Sequence, residues 1–208
     1  MPAGRAYPDA YLRLVRHHLL TGSRGNVSTG DFTLAAVLEY RNADVVDKFL
    51  TTFAMPRAEA ELLFEDVLRW MWLTTKARAA NTRLFIDPKW RLFDEMWHTF
   101  VLFTKDYADF CEKYLGHFCH HEPTRKATHA ENARRAREEP EVYVQALRKD
   151  YTALITLVVN EFGEEVATRW FETYRHQHTE EYMRSIHKYG RPANTPHEAG
   201  EAAHAAHD

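Results

Sequence analysis

The sequence predicts an all-α fold, a compact bundle of about six to eight helices, from three observations. Apolar residues recur at three- and four-residue spacing along most of the chain, the period of a helix with one buried face. No alternation of apolar and polar residues runs long enough to make a strand. Glycine and proline number 8 each in 208 residues, and they fall between the periodic segments rather than inside them.

A first helix is expected near Tyr7 to Leu20, with Tyr11, Leu12, Val15, Leu19 and Leu20 on one side. The polar "TGSRGNVSTG" reads as a loop, and Asp31 is positioned to cap a second helix through Ala35, Leu38, Val45 and Phe49. Pro56 suits the first turn of a third helix that carries Leu62, Leu63, Phe64, Val67, Trp70 and Met71. "KARAANTRLFI" breaks the pattern, and "DPKW" then opens a central helix with Asp87 as its cap and Pro88 in its first turn. Thr104 is placed to cap the next helix, Lys105 to about Leu115, which Gly116 ends in a left-handed conformation. Further helices are expected near Thr128–Glu139, Glu141–Phe162 and Glu164–Lys188. "KYGRP" reads as a stop, with Gly190 as cap, and Thr195 with Glu198 makes a capping box in the tail. No repeat or linker divides the chain, so a single domain over residues 1–190 and a tail over 191–208 are expected.

Composition removes several function classes. A hydrophobic fraction of 45% and an aromatic fraction of 13% belong to a globular protein. With a net charge of -3 there is no broad basic field, so neither nucleic acid nor a membrane surface is expected as a partner. The basic run "RKATHAENARRAREE" is interrupted by acids and reads as a solvated helix face. Two cysteines, Cys111 and Cys119, cannot make a disulfide framework, and neither a signal peptide nor a membrane span is evident. A cytoplasmic setting is the resulting expectation. Phosphate loops, nucleophile elbows and HExxH motifs do not occur, and Glu161, Glu164 and Glu165 lack the ExxH partner of a di-iron bundle.

Chemistry concentrates in "FDEMWHTFVLFTKDYADFCEKYLGHFCHHEPT", Phe93 to Thr124. On the central helix Asp94 and His98 stand four apart on one face, where they can share a metal or simply hydrogen-bond each other. The next helix places Tyr107 and Cys111 four apart, with Cys111 by default a small buried apolar side chain. After Gly116 the chain leaves the helix, and Pro123 biases Glu122 towards an extended backbone, so His120 or His121 can fold back towards Asp94 and His98. Asp94, His98, Cys111, His120 and His121 are therefore the candidate metal ligands. Such a set suits zinc or ferrous iron, with an open position and with Tyr107 as the candidate proton-handling residue. Thirteen histidines, most of them in the C-terminal half, agree with a metal.

The same window resembles the signature of the glycine-rich-domain-containing-protein-like family, in which a D-x-x-W-H helix precedes a Tyr and Cys helix, a Gly and a terminal His. Asp94, Trp97, His98, Tyr107, Cys111, Gly116 and His121 carry the resemblance, which runs from about Leu62 to Thr124 and is closer to compact bacterial members. Plant members often continue W-H-x-H, and Phe100 stands here in place of that second His. The resemblance implies a helical domain and little biochemistry.

Elsewhere, Tyr174 with His178 and His178 with Tyr182 share a helix face and could line a pocket, although a solvated face interleaved with glutamates is favoured. His176 and His187 complete that group, and His197, His204 and His207 lie in the Ala-rich tail. Three functions remain in view. The first is a metal- or ligand-binding helical protein, extending to a metal-dependent enzyme. The second is a non-enzymatic interaction module whose Asp, His and Cys residues form a structural hydrogen-bond network, and the third is a haem protein with a histidine axial ligand. A small-molecule or protein partner is left unspecified.

Overall fold

Helix boundaries in the computed structural model follow side chains that compete with the backbone for its first free N–H groups. Residues 32–77 and 80–189 are described, so the predicted first helix, the Asp31 cap, the Gly190 stop and the Thr195–Glu198 box lie outside the described residues. Where one second helix was expected there are two, α1 (Leu34–Glu39) and α2 (Ala43–Thr52). The division is made by Asn42, whose side chain accepts from Val45 N, while Thr33 caps α1 by accepting from Ala36 N. Helix α3 (Arg57–Ala77) follows Pro56, whose carbonyl accepts the N–H groups of Glu59 and Ala60.

Asp87 does not cap the central helix. It folds a turn ahead of it, taking Lys89 N on one oxygen, and α4 (Arg91–Leu102) begins only after Trp90. Thr104 likewise lies inside α5 (Thr104–Phe110) rather than capping it. The helix widens into a π turn over Cys111–Leu115 and ends at Gly116, which has the expected left-handed backbone at φ 70°. Then come α6 (Lys126–Glu138) and α7 (Pro140–Phe162). The final long helix of the prediction is interrupted. α8 (Glu164–Thr168), a π turn over Arg169–Thr173 and α9 (Tyr174–Gln177) are separated from α10 (Glu180–Ile186), which Thr179 caps.

Among the described residues the structure is all-α, and an isolated antiparallel bridge between Phe53 and His187 ties the end of α2 to the end of α10. No described helix is long and apolar enough to cross a membrane. Buried side chains from Val37 to Ile186 form one core. Its centre is an aromatic knot in which Trp70, Trp90, Phe93 and Trp170 meet mostly edge to face, at centroid distances of 5.7–6.1 Å. Each such pair adds about 0.5–1.5 kcal/mol beyond area burial. Helix α6 buries no residue and leans on α7, in keeping with the solvated face expected of its sequence.

Two buried carboxylates cross-brace this core; Asp66 was not singled out from the sequence, and Asp87 was expected only as a helix cap. Asp66, 0% exposed, accepts a bidentate pair from Arg169 at 2.8 Å each, Arg69 at 2.9 Å and the Tyr174 hydroxyl at 2.5 Å. Asp87 accepts Tyr151 at 3.0 Å and Arg175 at 2.9 Å, joining the start of α4 to α7 and α9. An ionised carboxylate out of water needs this company, and removing it strands the guanidinium. Asp66→Ala is therefore expected to cost about 3–5 kcal/mol of stability in urea denaturation. A loss under about 1 kcal/mol would show that the brace carries no weight.

His178 is a second departure from expectation, since it does not stand on a solvated face. Its ring is buried between Tyr174 and Tyr182, at 4.6 and 6.0 Å, and its Nδ1 has no hydrogen bond. Burial pulls its pKa from 6.5 down to about 4. The unfolded chain thus takes up a proton that the folded chain refuses. This contribution is complete above pH 6.5 and is lost as pH falls to about 4. Between pH 7 and 4.5 the protein should lose on the order of 2 kcal/mol more stability than a His178→Phe variant. Parallel losses in the two would remove His178 as the cause.

Candidate metal centre

Helix α4 sets up the site because its apolar stripe and its polar stripe diverge. Leu92, Phe93, Met96, Trp97 and Phe100 are buried. That leaves Asp94 and His98 on the outer side, with side chains 35% and 52% exposed. Their i, i+4 spacing puts His98 Nε2 3.9 Å from Asp94 Oδ2.

His121 reaches them through a loop that is fixed link by link. Gly116 turns the chain where a Cβ would lie 2.7 Å from the Phe32 ring, so glycine is needed for space as well as for conformation. His117 Nδ1 lies 3.1 Å from the Leu115 carbonyl and its Nε2 lies 2.9 Å from Thr74 Oγ1. Cys119 turns inward, its N–H donating to Cys111 Sγ at 3.5 Å. Its carbonyl accepts the Tyr107 hydroxyl at 2.5 Å, and that hydroxyl in turn accepts the Trp97 indole N–H at 3.1 Å. Two residues on, the His121 ring lies flat on Trp97, with centroids 4.1 Å apart and planes 10° apart.

The result is a cluster in which Asp94, His98 and His121 each offer a donor atom within 4.8 Å of the others. His121 Nε2 is 3.3 Å from Asp94 Oδ1, and the two imidazoles are 4.6 Å apart. His121 is only 13% exposed, and its Nε2 is buried without a hydrogen bond despite the nearby carboxylate. Donors about 2.1 Å from a tetrahedral ion stand roughly 3.4 Å from one another, a spacing that the 3.3 Å between His121 and Asp94 meets and the 3.9 Å between His98 and Asp94 exceeds.

The other sequence-predicted residues are placed differently. His120 is exposed, its ring against Phe118. Cys111 is buried and outside the cluster, and burial raises its thiol pKa, which opposes the thiolate that a metal takes. Cys119 is pushed up to about 11 by the same cause. Tyr107 is buried with its proton donated to a carbonyl, and burial raises its pKa well above the ordinary phenol value. It holds the loop in place, with its proton given to the Cys119 carbonyl. The role of Trp97 as the platform for His121 shows only in three dimensions.

An all-helical scaffold that presents a mixed carboxylate and imidazole cluster at its surface is the class the geometry defines. Residues 41–139, just under half of the chain, are similar to a family described as UCP032817-like, a description that states no activity. No curated protein and no solved structure matches the chain. The UCP032817-like match overturns the resemblance to the glycine-rich-domain-containing-protein-like family. The matched span holds the whole D-x-x-W-H window, so those residues carry a helix, a stacking platform and a loop without marking that other family.

Because Tyr107 links the helix, Trp97 and the loop, Tyr107→Phe should lower stability by about 1–3 kcal/mol through the unpaired Cys119 carbonyl and Trp97 indole. Chemical denaturation reads this directly. A change within about 0.5 kcal/mol would mean that the hydroxyl does not hold the loop.

Proposed function

We propose that this protein binds a divalent transition metal, zinc or ferrous iron, through Asp94, His98 and His121. The observation that carries this reading is the buried Nε2 of His121, which lacks a hydrogen bond, lies 3.3 Å from a carboxylate oxygen and shares its cluster with a second imidazole. A buried imidazole nitrogen left in that state costs stability, and a cation is the partner that satisfies it together with Asp94. The donor set fits both ions, since two imidazoles and one carboxylate serve zinc and ferrous centres alike. Three protein donors leave a position for water or a ligand, and the exposed edges of Asp94 and His98 put that position towards solvent. The ion would supply Lewis acidity there.

A purely structural hydrogen-bond network is the poorer account of the same residues. Such a network satisfies its buried members, and His121 Nε2 is not satisfied. Metal binding is expected to raise the melting temperature, by about 2.7 kcal/mol of stabilisation at a free-ion concentration a hundred times Kd. His121→Ala and Asp94→Asn should each remove that shift for zinc and for ferrous iron added without oxygen. If neither ion shifts the transition of the wild-type protein, the metal reading fails. It fails equally if both variants respond as the wild type does.

A further inference from the structure

We propose that Glu95 is a positioning residue for this centre, accepting the Nδ1 proton of His98 so that Nε2 is presented to the ion. The inference rests on the metal reading above and assigns the orientation of one of its ligands. His98 lies four residues after Asp94 and three after Glu95, so both acids share its side of α4. The two ring nitrogens face different carboxylates. Nε2 is 3.9 Å from Asp94 Oδ2, within the cluster, while Nδ1 is 3.9 Å from Glu95 Oε2, outside it.

That division matters because a neutral imidazole carries one proton and ligates through the nitrogen that lacks it. Left alone, the ring favours the tautomer with the proton on Nε2, the wrong one for this cluster. A carboxylate at Nδ1 reverses the preference, fixes the ring plane and makes Nε2 more basic. Packing constrains His98 less than it constrains His121. His121 is held by the Trp97 stack and a shaped loop, whereas the His98 side chain is 52% exposed on a helix surface. Glu95 is the more covered of the two at 27%, so it is the better-placed member to hold the other. The 3.9 Å separation closes to a hydrogen bond by a small side-chain adjustment, which ion binding at Nε2 would favour.

The test uses the full chain, with zinc as the probe and Glu95→Ala and Glu95→Gln as variants. Glu95→Ala should weaken zinc binding about 10- to 100-fold, and Glu95→Gln, which keeps a neutral acceptor, should recover part of the loss. Nitrogen-15 NMR of His98 should show Nδ1 protonated in the wild type, with and without zinc, and the Nε2-protonated form gaining in the metal-free Glu95→Ala protein. Unaltered zinc affinity in Glu95→Ala, or coordination of His98 through Nδ1, would overturn the proposal. If the wild type binds no zinc, the metal reading is what fails. The metal-free tautomer then decides separately whether Glu95 holds Nδ1.

Discussion

The rest of the structure depends on a carboxylate that has no access to water. Asp66 lies in the middle of α3, on the stripe that also carries Leu63, Val67 and Trp70. An acid there is tolerable only if cations and donors come to it, and they come from two directions. Arg69 comes from the same helix, while Arg169 and Tyr174 come from beyond α7. The order of the last third of the chain is therefore bound to the order of the first. The π turn over Arg169–Thr173 sits where this convergence occurs, between the Arg169 guanidinium on Asp66 and the Trp170 ring in the aromatic knot. Asp66 holds Arg169 strongly in its charged form, raising its pKa above the ordinary guanidinium value.

The second buried acid carries this order to the cluster of Asp94, His98 and His121. Asp87 fixes the turn before α4 with one oxygen and takes Arg175 and Tyr151 on the other. Helix α4 thus starts from a point pinned to α7 and α9, and its rotation is set by Trp90 and Phe93 in the aromatic knot. With that rotation fixed, Asp94 and His98 must face outward and Trp97 must face the loop. Placing His121 then becomes a matter of six residues, from Gly116 to His121. They are held at His117, Cys119 and finally by the ring stack.

Much of this was legible in the sequence because it is local. Helical periodicity, Pro56, Gly116 and the i, i+4 pair of Asp94 and His98 are properties of a few neighbouring residues, and they appear in the structure as the spacing implies. The breaks at Asn42 and Thr179 were missed because a periodic apolar pattern runs through them, while the side-chain caps that impose them are short-range competitors of the backbone. Asp66 left a signal that could have been used, an acid at a buried position of an apolar stripe. Its partners stand 103 and 108 residues away, and no local pattern names them. For His178 the adjacent glutamates suggested solvent, yet a helix face is decided by what packs on it, and Tyr174 and Tyr182 close over the ring.

This division of labour also explains why the centre can differ chemically from the rest of the molecule. The braces at Asp66 and Asp87 are satisfied within the protein, every observed bond to them coming from its own side chains and backbone. In the cluster at Asp94, His98 and His121 the buried Nε2 of His121 makes no hydrogen bond, although it lies 3.3 Å from Asp94 Oδ1. His178 Nδ1 and the Trp90 and Trp170 indoles are also unbonded, but they lie among aromatic rings, whereas His121 Nε2 stands beside a carboxylate and a second imidazole. The cluster lies on the outer face of α4, so a ligand bound there would leave the core packing unchanged. Local incompleteness on a complete scaffold lets the chain fold before any ligand binds, so that a ligand would add its binding energy to a fold already formed.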